Sequence, residues 1–258
     1  MSLVHASDII VTTSEGVGAF NTTLQNANVE TFDNLPTGVN NNVNWQGVGT
    51  FDKVNVKTAD QYGGAPTVSK PNGSQYAVEG LGIVNTTTLK LNSPSSYFGL
   101  YWSAGDAAND LKFYNNGALV ADFTTANLMN KLPAAYYGNP ITTGLNAGKN
   151  PNEPYGFINF IGGANTSWDT IVFGNNGGSG FEADNYTSRV NGWNPTTDGP
   201  ISGTPVVEII DGKVKNISSI PNTFVYAPGA PTAPLIPCLA FAAVLALQAF
   251  RKSETREG

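Results

Sequence analysis

Among 258 residues there is one cysteine, Cys238, and one histidine, His5. A lone cysteine excludes an intrachain disulfide, so a stable body must rely on its core or on a metal. His5 falls in a segment read below as the remnant of a leader. The body beyond it therefore has no histidine and no cysteine for Ser-His-Asp or Cys-His catalysis, or for a His/Cys zinc site. Charge is also scarce: 12% of residues are charged, with 13 Lys and Arg against 19 Asp and Glu, net −6. No Lys/Arg cluster exists to neutralise phosphates, which argues against nucleic acid as a partner. Long apolar runs are missing too, except one. Leu235 to Phe250 is an apolar block of 16 residues, followed by Arg251-Lys252.

What the chain has in abundance is Gly (29), Pro (16), Asn and Thr. Strand-like alternation recurs over Asp8–Thr13, Val29–Asp33, Phe51–Lys57, Gln75–Glu79, Thr87–Leu91, Tyr97–Trp102, Leu111–Tyr114, Leu119–Phe123, Gly156–Ile161, Thr170–Phe173, Phe181–Tyr186 and Val206–Ile210. Asn116-Gly117 predicts a tight hairpin, because both residues tolerate positive φ. On that hairpin Leu111 and Phe113 are expected to be covered by Leu119, Ala121 and Phe123. Pro94, Gly99 and Gly156 read as strand breaks. One short helix is predicted near Thr124–Leu132, stopped by Pro133. Many short strands without helical crossovers predict an all-β fold, specifically a two-sheet antiparallel β-sandwich of jelly-roll type. Two long loops, Asn139–Pro154 and Arg189–Thr204, read as binding surfaces or disordered excursions.

The apolar block is close to the ~17–25 residues of a spanning helix. With its Pro-rich entry and basic stop it reads as a membrane-directing C-terminal helix. Pro231, Thr232, Ala233 and Pro234 precede it, and Arg251 and Lys252 close it. This tail resembles the cyanobacterial PEP-CTERM sorting signals, most closely the PTPA variant, although the middle pair is swapped and no Glu is present. The resemblance implies processing by an exosortase near the Pro-rich motif; an ordinary tail anchor is the alternative. Cys238, inside the block, reads as a small helix residue or an acylation site. Val4 and Ala6 suit positions −3 and −1 of a cleavage before Ser7. The expected organisation is a residual leader at 1–6, a β-sandwich at 7–210, a stalk at 211–231 and a sorting or transmembrane segment at 232–258. Residues 211–232 also read as one weak strand pair.

The body resembles a family as well. Glu30-Thr31-Phe32-Asp33-Asn34-Leu35, Ala59-Asp60-Gln61-Tyr62-Gly63-Gly64-Ala65, Tyr97-Phe98-Gly99-Leu100-Tyr101-Trp102, Tyr137-Gly138-Asn139-Pro140 and Gly180-Phe181-Glu182-Ala183-Asp184-Asn185 are similar to segments of cyanobacterial exosortase-dependent surface proteins. The likeness implies a secreted β-sandwich at the cell surface or in the extracellular matrix, and carries no molecular activity. The same segments resemble carbohydrate-binding modules, which implies a structural calcium joining the first and last core strands.

Candidate chemistry follows from these residues. Glu182 and Asp184 share a face of a strand, because side chains repeat every two residues. With Glu30 and Asp33 at another strand end, they are the candidate ligands of a structural calcium, a hard cation that takes oxygen donors. Bracing of turn backbone is the competing reading for these acids. As a catalytic pair, Asp106 with Asp110 or Glu182 with Asp184 would suit glycoside hydrolysis, but no catalytic residue is assigned. Tyr62, Tyr136, Tyr137, Trp168 and Trp193 adjoin Gly, Asn or Pro, a setting for rings that stack on sugars. Tyr62, Tyr136, Tyr137 and Trp193 are the candidate sugar site, against burial of their apolar bodies. Phe98, Leu100 and Trp102 alternate on one face and read as core. The expected function is a non-enzymatic exported surface or matrix protein, partnered by an exosortase, a membrane and extracellular polysaccharide. A lectin-like carbohydrate-binding module is the alternative, and a glycoside-active enzyme the third.

Overall fold

The strand pattern read from the sequence reappears in the computed structural model, which describes residues 9–129, 131–163, 166–177, 179–190, 192–198, 206–210 and 212–217. Fourteen strands occur among them: β1 (Ile9–Thr12), β2 (Asn28–Glu30), β3 (Gly38–Trp45), β4 (Gly49–Lys57), β5 (Tyr76–Gly80), β6 (Thr86–Ser95), β7 (Tyr97–Ser103), β8 (Asn109–Asn115), β9 (Ala118–Thr124), β10 (Gly156–Gly162), β11 (Trp168–Asn175), β12 (Gly180–Ser188), β13 (Val206–Ile210) and β14 (Lys213–Ile217). The expected helix shrinks to α1 (Ala126–Met129), which buries Leu128. A short 3₁₀ turn follows over Ala134–Tyr136, and a second short helix, α2, spans Pro195–Asp198.

All pairings are antiparallel, and one hydrogen-bonded path runs β14-β13-β1-β10-β7-β12-β5-β4-β6-β11-β8-β9, with β2 beside β12 and β3 beside β4. The fold is therefore all-β, as expected, and its ladder is continuous. β14 comes alongside β9, so the sheet nearly closes on itself. The two halves of the path face each other across an aromatic core. Phe160 of β10 lies 5.1 Å from Phe113 of β8 and 5.2 Å from Phe123 of β9. Phe173 of β11 stacks 4.9 Å from Tyr186 of β12. Phe98, Leu100 and Trp102 join this core, as their alternation predicts.

The turn between the halves is made by β4. Its early residues pair with β6, Phe51 opposite Leu89, and its last residues pair with β5, Val56 opposite Ala77. Both neighbours use the same edge of β4, since β3 occupies the other edge along its length. β5 and β6 must therefore diverge around the middle of β4, leaving a wedge between them.

Local departures from the expected pattern have physical causes. Asn116 and Gly117 both take positive φ, 50° and 78°, so the predicted hairpin forms between β8 and β9. A register shift at Phe113/Tyr114 turns Leu119 outward, while Ala121 and Phe123 stay buried. Gly99 lies inside β7 and does not end it, because a Cβ there would stand 2.7 Å from the Phe157 ring. Pro94 lies within β6, at an irregularity where Trp168 pairs with Ser95 but Thr170 pairs with Lys90; such bulges accommodate proline. β3 was not foreseen, since Val39-Asn40-Asn41-Asn42 lacks apolar alternation and lies largely exposed. The sheet also extends past the expected boundary at 210, through β14. The described residues belong to one compact unit, residues 5–230. The leader 1–6, most of the stalk and the segment 232–258 lie outside the described residues. Among the described residues no helix is long and apolar enough to cross a membrane.

Candidate functional site

The half of the sheet built from β1, β10, β7, β12 and β5 is covered on its outer face by loops. Side chains that alternate away from the core therefore remain buried. Tyr101, Phe157, Tyr155 and Ala65 form one apolar patch there. Ile10, Tyr97, Ile161, Leu24 and Trp193 form another. Glu182 and Asp184 sit on this covered face, as the period of two requires, while Phe181 and Ala183 face the core. One extra residue in β12 changes the phase. Asp184 pairs with Tyr101 but Thr187 with Gly99, and Asn185 takes φ 49°, which marks a β-bulge. The bulge lets Asp184 face the loops and Tyr186, two residues on, face the core.

Asp184 is fully buried and fastens a loop. Its Oδ2 accepts hydrogen bonds from the Ala65 N–H at 2.8 Å and the Ser74 hydroxyl at 2.9 Å. Its Oδ1 accepts the Asn185 N–H at 2.7 Å. Burial pushes its pKa up to about 7, against the pull of these three donors. Asp33 accepts the Lys70 ammonium at 2.7 Å and the Gln75 N–H at 3.0 Å. Glu30 caps the Phe32 N–H at 2.8 Å, and burial is the main reason its pKa is raised. Asp33 and Asp184 thus hold opposite ends of Ser74-Gln75, close enough that the Asp33 charge adds to the rise of the Asp184 pKa. Hydrogen-bond donors surround both acids, an arrangement that fits turn bracing. Among the described residues no group of three or more His, Cys, Asp or Glu is placed to hold a metal.

The four candidate sugar-stacking rings separate sharply. Tyr62 is 39% exposed, on the loop after β4. Tyr136 is 4% exposed and Trp193 6% exposed; both belong to apolar clusters, so neither offers a face to a sugar. Tyr137 is half-buried and donates its hydroxyl to the Met129 carbonyl at 2.8 Å. Trp168 is also buried. Local Gly, Asn and Pro marked loop positions for the four rings but not for Trp168, which opens β11, and said nothing of what packs beneath the loops.

The loop 139–154 docks on the loop that carries Tyr62. The Gln61 carbonyl accepts the Tyr155 hydroxyl at 2.8 Å, Asn150 Nδ2 at 3.1 Å and Asn139 Nδ2 at 3.2 Å. Asp60 Oδ1 accepts the Tyr62 N–H at 2.8 Å and the Tyr76 hydroxyl at 3.0 Å. Lys57 Nζ lies 3.1 Å from Asp60 Oδ2 and 5.6 Å above the Tyr76 ring.

Next to this platform lies Glu182, only 6% exposed, its carboxyl folded back over Gly180. Burial pushes its pKa up to about 8; Lys57 opposes the rise, and Asp106 and Glu153 add to it. Glu153 is raised for the same two reasons, burial and Asp106. Burial thus favours the neutral acid of Glu182, which can both donate and accept a hydrogen bond. The acids that act on it are Asp106 and Glu153. Asp106 accepts the Ala108 N–H at 2.6 Å and the Ser179 hydroxyl, whereas Asp110 pairs with Lys112.

No family model matches the chain, and no curated protein or solved structure matches it.

Proposed function

We propose that this is a non-enzymatic exported protein of the cell surface or extracellular matrix, of the exosortase-dependent kind. The observation that carries the reading is the apolar block Leu235–Phe250 closed by Arg251-Lys252, in a chain whose body is charge-poor and all-β. An apolar block of that length addresses a chain to a membrane. The Pro231-Thr232-Ala233-Pro234 entry favours a signal processed by an exosortase over a plain anchor. For the body we propose the jelly-roll-type sandwich, supported by two sheet halves that face each other across one core. The test is fractionation of cells making the full chain and a chain lacking Leu235–Phe250. The proposal expects export of the full chain, with membrane association lost on truncation; a cytoplasmic full chain overturns it.

A second reading is favoured by one observation. Tyr62 presents an exposed ring beside the Asn139, Asn150 and Gln61 network, and a ring flanked by amide groups suits sugar stacking. In that reading the body is a carbohydrate-binding module for extracellular polysaccharide, with Tyr62 as its anchor. A structural calcium at Glu30, Asp33, Glu182 and Asp184 is a separate proposal. It rests on their acidity and on the carbohydrate-module resemblance, and it requires displacement of Lys70 from Asp33.

A further inference from the structure

The wedge between β5 and β6 holds a carboxyl that neither reading of the function uses. Glu79 is 0% exposed and shares the core-facing side of β5 with Ala77. If the β4–β5 ladder ran on from Val56–Ala77, Glu79 would stand opposite Val54; if the β4–β6 ladder ran on from Phe51–Leu89, Thr87 would stand opposite Lys53. Neither pairing continues, so Glu79 and Thr87 occupy the space where the strands part. Both carboxyl oxygens of Glu79, the Thr87 hydroxyl and the Tyr186 hydroxyl of β12 are buried with no partner at full hydrogen-bond geometry, although the Thr87 hydroxyl and the Glu79 N–H lie close enough to favour the carboxylate weakly. Aromatic rings enclose the Tyr186 side, with Phe173 at 4.9 Å, Phe32 at 5.1 Å and Phe98 at 5.7 Å.

The groups that act on Glu79 are Thr87 from β6, Tyr186 from β12 and, through its charge from the exposed face of β4, Asp52. Asp52 is held at the crease, where its Oδ1 accepts the Thr88 N–H at 2.7 Å. Among the described residues no cation acts on Glu79. An ionised carboxylate there would be desolvated, without a cation and repelled by Asp52, with only the Thr87 hydroxyl and its own N–H to favour it, which is costly for a buried acid. A neutral carboxylic acid avoids that cost.

We propose that Glu79 is a proton-operated latch: protonated, it lets β5 and β6 close on β4, and losing the proton opens this crease to water. The sign follows from burial, which pushes the Glu79 pKa up to about 7 from an ordinary 4.5. A raised folded-state value means that closure is fully favoured below about pH 4.5 and weakens as pH rises through 7.

Amide hydrogen exchange on the full chain tests this at about pH 5.5 and about pH 8.5, with rates corrected for intrinsic chemistry. Wild-type protection at residues 52–56, 76–80 and 86–89 should fall about 30-fold between the two, the ratio implied by titration between 4.5 and 7. In Glu79→Gln, or Glu79→Met should the amide not fold, the same strands should change by less than about threefold. Asp52→Asn should reduce the wild-type fall, because it removes the nearby negative charge. The proposal is overturned if wild-type protection in these strands does not fall between the two pH values, or if the Glu79 variants fall as far as wild type does.

Discussion

Replacing Asp184 with alanine tests whether this acid is the fastener of the loop over β12. The substitution orphans the Ala65 N–H and the Asn185 N–H, both in buried surroundings. Ser74 keeps a partner, since its hydroxyl also donates to the Ala65 carbonyl at 2.8 Å. A buried donor left unsatisfied costs about 1–3 kcal/mol, so two give about 2–6 kcal/mol, with a small cavity in addition. For a domain of roughly 200 residues each kcal/mol moves Tm by about 2–4 °C, so the expected fall is on the order of 10 °C. Asp184→Asn should fall less, because one oxygen remains to accept, although its amide now meets donors. Differential scanning calorimetry on the full chain is the assay. If Asp184→Ala melts within about a degree of wild type, water reaches these donors and the fastening argument fails. A buried acid whose removal costs nothing braces nothing.

The remaining expectations are simpler. Deleting Leu235–Phe250 should move the protein from membrane to soluble fractions, and continued sedimentation with membranes would refute the anchor. If the carbohydrate reading holds, a glycan array should show binding that Tyr62→Ala abolishes and Trp193→Phe leaves in place, since only the first ring is exposed; equal binding by Tyr62→Ala removes Tyr62 as the anchor. A calcium ion at Asp33 and Asp184 would stabilise the domain by about 2.7 kcal/mol at a hundred times its Kd, and Asp184→Asn would blunt that gain. Equal melting of metal-free protein with calcium and with chelator leaves both acids as turn braces alone.

Much of the fold was written in short-range pattern. All twelve stretches of alternation became strands, because period-two side chains and Gly, Asn or Pro turns act through local sterics. The Asn116-Gly117 hairpin is the plainest case. β3 was hidden because it is an edge strand whose Asn residues face solvent, so it needs no apolar alternation. Burial was less legible than secondary structure. In β5 every residue from Tyr76 to Gly80 is buried, since one face meets the core and the other is covered by loops. Alternation then separates Tyr76 and Val78 from Ala77 and Glu79 without saying which pair lies inside. The sequence placed Glu182 and Asp184 on one face, and that followed from strand geometry alone. Only the tertiary structure put Asp184 under three donors, Glu182 within reach of Asp106 and Glu153, and Glu79 in the wedge where β5 and β6 part. Those environments are made by residues tens of positions away, and the field and hydrogen bonds at a carboxyl depend on what long-range packing brings beside it.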